Sequence, residues 1–243
     1  SQKDRQKQAP LLVVGGTDGS GTRKVVQTLT SLGVTMVSED PETYDIHGDL
    51  MGGWPPVVSP VLGVTHGLDY DPMKIPSNIF NDIKSKLQKL LLQTEQDSHK
   101  SESFILAKGG ALHKPLNAQA SRVAYGFKAP VAMTLVPLWA YLRPGMKFLH
   151  VLRDGRDIAL STNQGPVQKF YKIMYSGSQN SLPKSSQGRA IHMWSDWNCQ
   201  VREYSERLEK ENKMEYMALY SEHLVSSHMG VRFKAIYEIA MWV

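Results

Sequence analysis

Two short runs hold most of the residues whose types and spacing could do chemistry. The first is Gly15-Gly16-Thr17-Asp18-Gly19-Ser20-Gly21-Thr22-Arg23. Glycines let a backbone turn tightly and aim successive N–H groups at one spot. Ser20 and Thr22 add hydroxyl donors, and Arg23 adds a cation where a following helix would begin. The helix macrodipole disfavours a cation at that position, so an anion beside Arg23 makes better sense of it. The second run, His150 to Ser161, carries Arg153 with Ser161 eight positions later. An arginine fork grips phosphate oxygens in pairs, and Ser161 can donate to the same phosphate. By itself this run is equally a surface Arg–Asp network, because Asp154 and Asp157 suit a plain helix start. Together the two runs point to a ligand whose phosphates are held at two places.

The elements that must position these residues follow from hydrophobic periodicity. Leu11 to Val14 is a short apolar run that stops at Gly15-Gly16, the pattern of a buried parallel strand. Thr22 to Leu32 places Val25, Val26, Leu29 and Leu32 on one helical face, and Gly33 ends it. Val34 to Val37 is a second strand, completing a βαβ unit. Residues 38–76, rich in Pro, Gly, Asp and His, are expected to form a long loop region. Ile79 to Leu92 has helical spacing, and Gln93 to Ser103 is polar and expected to be exposed. Strands are predicted at Val123–Phe127, Phe148–Leu152 and Tyr216–Tyr220. Helices are predicted after Pro130, from about Gly155, and over 189–212, with a mobile Ser/Gly/Gln-rich stretch at 176–188. The expected architecture is one α/β domain over 11–243, with a P-loop-like central parallel β-sheet flanked by helices on both faces. Residues 1–10 are expected to be a flexible leader. The apolar end Ala240-Met241-Trp242-Val243 suggests that the chain is cut short.

The 243 residues are enough to bury a core without disulfides or structural metal. The single cysteine, Cys199, excludes an internal disulfide and any cysteine-based zinc site. A net charge of +5 favours anionic ligands, but no dense Lys/Arg run points to nucleic acid. No apolar stretch approaches the roughly 20 residues that span a bilayer, so no membrane contact is expected within the chain.

Neither common nucleotide fingerprint fits the first run. A Walker loop ends Gly-Lys-Ser/Thr, whereas Gly21 is followed by Thr22-Arg23. A dinucleotide fold needs Gly-x-Gly-x-x-Gly, and Gly16, Gly19 and Gly21 have other gaps. The runs instead resemble the sulfotransferases that use 3′-phosphoadenosine 5′-phosphosulfate. Ser20-Gly21-Thr22 is similar to the core of that family's 5′-phosphosulfate loop. Arg153 and Ser161, within Arg-Asp-Gly-Arg-Asp-Ile-Ala-Leu-Ser, are similar to its 3′-phosphate site. Lys128-Ala129-Pro130 resembles a Lys-x-Pro element of Golgi-type members, including tyrosylprotein sulfotransferases. Leu219–Val225 resembles a late strand of the family, with Trp194 and Asn198 in the helix before it. The resemblance covers about residues 11–225. It departs at Gly19, where the family keeps Lys or Arg, and in lacking the late Arg-Lys-Gly segment of cytosolic members.

The resemblance implies in-line transfer of a sulfuryl group from 3′-phosphoadenosine 5′-phosphosulfate to the hydroxyl of a sugar, peptide or small molecule, with no metal. Such chemistry needs positioning and cationic stabilisation, and a base for the acceptor's proton. Gly19, Ser20, Gly21, Thr22, Arg23, Arg153 and Ser161 are the expected cofactor-binding residues. Lys128 and Arg23 are the candidates for the charge that Gly19 does not supply. Glu39 is the first candidate for the base, with Asp40, Asp45, His47 and Asp49 as competitors. His113 and Lys114 are either substrate contacts or loop residues. The acceptor pocket is expected in loops 40–76 and 165–188. A P-loop kinase or ATPase, and a non-catalytic nucleotide-binding module, remain open. So does the compartment, Golgi lumen or cytoplasm.

Overall fold

A computed structural model describes residues 10–38, 40, 42–46, 54–107, 125–176 and 182–243. The expected leader therefore lies, but for Pro10, outside the described residues, as does the centre of the 176–188 stretch. Five strands form one sheet: β1 (Leu11–Gly16), β2 (Thr35–Val37), β3 (Tyr125–Lys128), β4 (Met146–Leu152) and β5 (Met214–Tyr220). Every pairing is parallel, and the spatial order is β2-β3-β1-β4-β5.

Strand alternation divides β1 between two cores. Leu11 and Val13 enter one, Leu12 and Val14 the other. Register carries the first core across the sheet: Val13 lies opposite Phe127 and Phe148, Phe127 opposite Val37, and Phe148 opposite Tyr216. Covered on both faces, β1 reads as a continuous apolar run, whereas the edge strand β5 is buried only in part.

Helix α1 (Thr22–Ser31) seats Val25 and Leu29 on the second core. The short α8 (Ser221–Val225) and α9 (Met229–Trp242) complete that face through Leu224, Ala235 and Ile239. The other face takes α2 (Pro55–Thr65), α3 (Ser77–Ala107), α4 (Val136–Leu142), α6 (Gly165–Tyr175) and α7 (Ser186–Lys210). Helix α7 buries Ala190, Met193, Trp197, Val201, Tyr204 and Leu208, a stripe at three- and four-residue spacing. Its start is capped by the Ser185 hydroxyl, which accepts from the Gly188 N–H at 3.0 Å. Among the described residues, no helix is long and apolar enough to cross a membrane.

Four expectations need correction. The 38–76 region is not all loop, because α2 occupies Pro55–Thr65. Its first two residues are prolines, whose missing N–H groups would be unpaired at a helix start anyway, and Val57, Val58, Val61 and Leu62 are buried at helical spacing. Helix α3 does not stop near Leu92 but runs on to Ala107. Residues 165–175 form α6, with Phe170, Tyr171 and Met174 buried, and α7 starts at Ser186, so both ends of 165–188 are helical. The strand expected over Leu219–Val225 ends at Tyr220, where α8 begins.

Two ionisable residues lie inside β4. Lys147 is almost buried, with Nζ 2.6 Å from Glu215 Oε2, donating to the Trp242 carbonyl and 4.9 Å from the Trp242 ring centroid. His150 is fully buried between Asn198 and Tyr216.

Candidate functional site

Because all strands run parallel, the C-terminal ends of β1, β3 and β4 share one edge of the sheet. From β1 the chain goes on to the β2 edge, and from β4 to the β5 edge. Connections that diverge in this way open a crevice between β1 and β4, the usual ligand position in open parallel sheets. Both chemistry-bearing runs leave strands at this crevice.

The first run turns between Gly16 and Thr22. The Ser20 N–H donates to the Thr17 carbonyl at 3.0 Å. Gly19 and Gly21 have φ of 84° and 90°, the left-handed region that side chains rarely adopt. At Gly21 a Cβ would also stand 2.9 Å from Ser221 Cβ. Gly21 is the residue before α1. No side chain caps that helix start, and no acidic residue lies in its first turn. Its free N–H groups and positive dipole end are open to an anion. The buried hydroxyls of Thr17 and Ser20 have no hydrogen-bond partner among the described residues. Thr22 is buried on the first turn, while Arg23 is exposed and makes no ion pair among the described residues.

The second run meets the first directly. Arg153 Nη1 donates to the Gly19 carbonyl at 2.9 Å, and Nη2 reaches Asp157 Oδ2 at 3.3 Å. Its side chain stays 38% exposed. Ser161 is not two turns into a helix. Helix α5 covers only Gly155–Leu160, and Ser161 follows as its C-cap. A Cβ placed on Gly19 would stand 3.9 Å from Ser161 Oγ, so Gly19, Arg153 and Ser161 converge. Asp154 caps α5 by accepting from the Arg156 N–H at 2.9 Å. Hydrogen bonds from the Arg156 side chain and backbone hold its carboxyl down at about 2. The Asp154 N–H in turn donates to Glu222 Oε1 at 2.8 Å. Beside Arg153 opens a cleft of about 510 Å³ walled by Trp194, Tyr220, Glu222 and His223. The buried Trp194 Nε1 and Glu222 Oε2 have no partner among the described residues.

A second group gathers on the other side of the turn. Lys128 ends β3, and the chain beyond β2 returns to it: Asp45 bridges to Lys128, and the Ile46 N–H donates to the Lys128 carbonyl at 3.2 Å. The Lys128 side chain is 2% exposed, with Nζ 2.7 Å from Asp45 Oδ1 and 2.7 Å from the Thr43 carbonyl it donates to. Asp40 accepts from Glu42 N, Thr43 N and Thr43 Oγ1, so it closes a local turn. Glu39, His47, Asp49, His113 and Lys114 lie outside the described residues.

Asp18 completes this group, and sequence reasoning did not single it out. Burial pushes its carboxyl up from the ordinary range, and the Asp45 carboxylate pushes the same way, while Lys128 and Lys169 pull it back. Asp18 and Asp45 face a cleft of about 290 Å³ walled by Trp54, Pro130, Pro166 and Phe170. The available signal was a carboxylate inside a run otherwise suited to anions. Lys169 had no such signal, since only the packing of α6 brings it to the cleft.

The 17–21 turn thus separates two clefts, one beside Arg153 and one beside Asp18. Among the described residues, no group of three or more His, Cys, Asp or Glu could hold a metal ion. Comparison with protein-family models and with curated protein sequences returns no match.

Proposed function

We propose that the protein is a sulfotransferase that takes a sulfuryl group from 3′-phosphoadenosine 5′-phosphosulfate and gives it to an acceptor hydroxyl. The observation that carries this reading is the convergence of Gly19, Arg153 and Ser161 at the crevice between β1 and β4. A donor with phosphates at both the 3′ and 5′ positions needs two anion grips a nucleoside apart. The α1 N-terminus with Ser20 and Thr22 is one, and Arg153 with Ser161 is the other. Unpartnered hydroxyls on Thr17 and Ser20 and an uncapped helix start fit a phosphosulfate at the turn. Trp194 and Tyr220 beside Arg153 give the nucleoside flat faces.

In this reading the N–H groups of the first turn of α1 bind the donor's anionic end and stabilise charge that grows on the leaving phosphate. Arg153 releases Asp157 or shares it with the ligand, because a guanidinium has five donors. Lys128, held by Asp45, would have to be drawn from that pair for its charge to reach the ligand. Arg23, exposed on the same helix turn, is free to swing to the ligand.

The test is thermal stabilisation by 3′,5′-bisphosphoadenosine set against ATP with Mg²⁺. The reading expects a shift with the bisphosphate and its loss in Arg153→Ala. A shift seen only with ATP sinks it in favour of a kinase or ATPase. One observation favours a second reading, a non-catalytic nucleotide-binding module: Gly19 bears no cation, and the Lys128 ammonium is already engaged by Asp45 and Thr43. Transfer of labelled sulfate to any acceptor excludes that module.

A further inference from the structure

We propose that Asp18 is the catalytic residue that takes the acceptor's proton, with the acceptor seated in the cleft between Asp18 and Phe170. This rests on the transfer reading above and names a residue that the motif resemblance does not.

The position of Asp18 is the first ground. It lies in the turn that leads into the uncapped start of α1, the proposed seat of the donor's 5′ end, and it faces the cleft on the far side of that turn from Arg153. The opposing charge is the second. The turn offers an uncapped helix start, no acid in the first helical turn and two unpartnered hydroxyls, all of which suit an anion. Asp18 works against that field. It is part-buried and accepts no hydrogen bond among the described residues, so it caps no turn and closes no ion pair of its own. Proton removal is a use for a carboxylate in such a field, and it requires the carboxylate to be unpaired.

The cleft is the third ground. Apart from Asp18, Asp45 and Lys169 its walls are apolar or aromatic, and at about 290 Å³ it has room for one ring-sized group. The two carboxylates that face it differ in kind. Asp45 is tied to Lys128 at 2.7 Å, whereas Asp18 is not tied. Carboxylates in unlike environments divide their roles, and here Asp18 is the one free to accept a proton. Among the described residues, the charged groups that act on it are Asp45, which raises its proton affinity, and Lys128 and Lys169, which lower it. The net effect of burial makes Asp18 a stronger base than an ordinary aspartate.

The step balances without a co-reactant. The acceptor oxygen attacks sulfur and a new O–S bond forms. The bond from sulfur to the 5′-phosphate oxygen breaks, and its electron pair stays on the phosphate. The hydroxyl proton passes to an Asp18 carboxylate oxygen and from there to solvent.

The experiment follows labelled sulfate onto 4-nitrophenol and methyl β-glucoside, with bisphosphoadenosine binding read in parallel by thermal shift. Asp18→Asn is expected to lower kcat by a factor of about 10²–10⁴ while keeping the thermal shift. It should also flatten the acid limb of the kcat/KM profile. Asp18→Glu should restore part of the rate, which a purely structural role would not predict. Asp18→Asn with turnover within a few fold of the parent overturns the assignment. So does an unchanged acid limb, or a loss found in Glu39→Gln instead. A parent chain stabilised by ATP alone overturns the transfer reading, and this one with it.

Discussion

His150 shows how one residue in a strand reports on the chemistry around it. Asn198 Nδ2 donates to the Trp194 carbonyl at 2.6 Å, which leaves Asn198 Oδ1 as the acceptor facing His150. His150 Nε2, at 2.8 Å, must therefore carry the hydrogen, and Nδ1 accepts from the Tyr216 hydroxyl at 3.0 Å. The ring is neutral, and burial lowers its pKa to about 4 from the usual 6.5, the Asn198 hydrogen bond opposing that only in part. An unfolded histidine binds its proton first as pH falls. Stability is therefore complete above 6.5 and is lost as pH drops from 6.5 toward about 4, a loss of about 3 kcal/mol if the whole shift is realised. Denaturant unfolding across that window should show the slope, and His150→Gln should remove this component even though the variant is less stable at neutral pH. At the same scale, Gly19 carries a finding of its own. Its φ of 84° lies in the left-handed region, so a Lys or Arg placed at position 19 would strain the backbone as well as add a charge.

At the scale of elements, the packing of α5 on α7 sets where Arg153 stands. Gly155 opens α5, and a Cβ there would lie 2.6 Å from Trp194 Cε3. Gly155→Ala must push α5 and α7 apart or turn the indole, at about 1–3 kcal/mol for overpacking. In a chain of this size that is a fall of roughly 2–4 °C in Tm per kcal/mol. Thermal melts should show it, along with weaker stabilisation by bisphosphoadenosine, because α5 carries Asp157 and positions Ser161. Gly230→Ala is the contrast: on exposed α9 nothing lies within 4 Å of an added Cβ, so it should stabilise by up to about 1 kcal/mol.

Elements were legible where one face of a regular pattern is apolar. Val25–Leu29 declares its helix because one face must be buried, and Leu11–Val14 its strand because both faces are. Helix α2 was hidden, because Pro55, Pro56 and Pro60 read as breakers while lying in the first two turns. Helix α6 was hidden by the Ser/Gly-rich residues that follow it. The cleft was least legible. Asp18, Asp45, Lys128 and Lys169 are scattered along the chain, and no spacing rule links an ion pair formed by strand order to its members. Arg153 and Ser161 could be paired in advance because a single strand-to-helix element carries both.

At the scale of the whole molecule, the parallel sheet gathers the described candidates, Asp18 to Arg23, Asp45, Lys128, Arg153 and Ser161, at one edge. The turn at 17–21 separates the two clefts, so the proposed transfer would bring donor and acceptor to different sides of the same backbone segment. The opposite half of the molecule has another anchor. Lys147 reaches from β4 to the Trp242 carbonyl at the end of α9 and lays its charge against the Trp242 ring. Helix α9 otherwise rests on the sheet through few buried side chains, chiefly Ala235 and Ile239. Its opening is therefore governed by one lysine more than by its own length. In amide hydrogen exchange, α9 should behave as a separately opening unit whose protection collapses in Lys147→Met while β1 and β4 keep theirs. Equal protection of α9 in parent and variant would show that the lysine holds nothing shut.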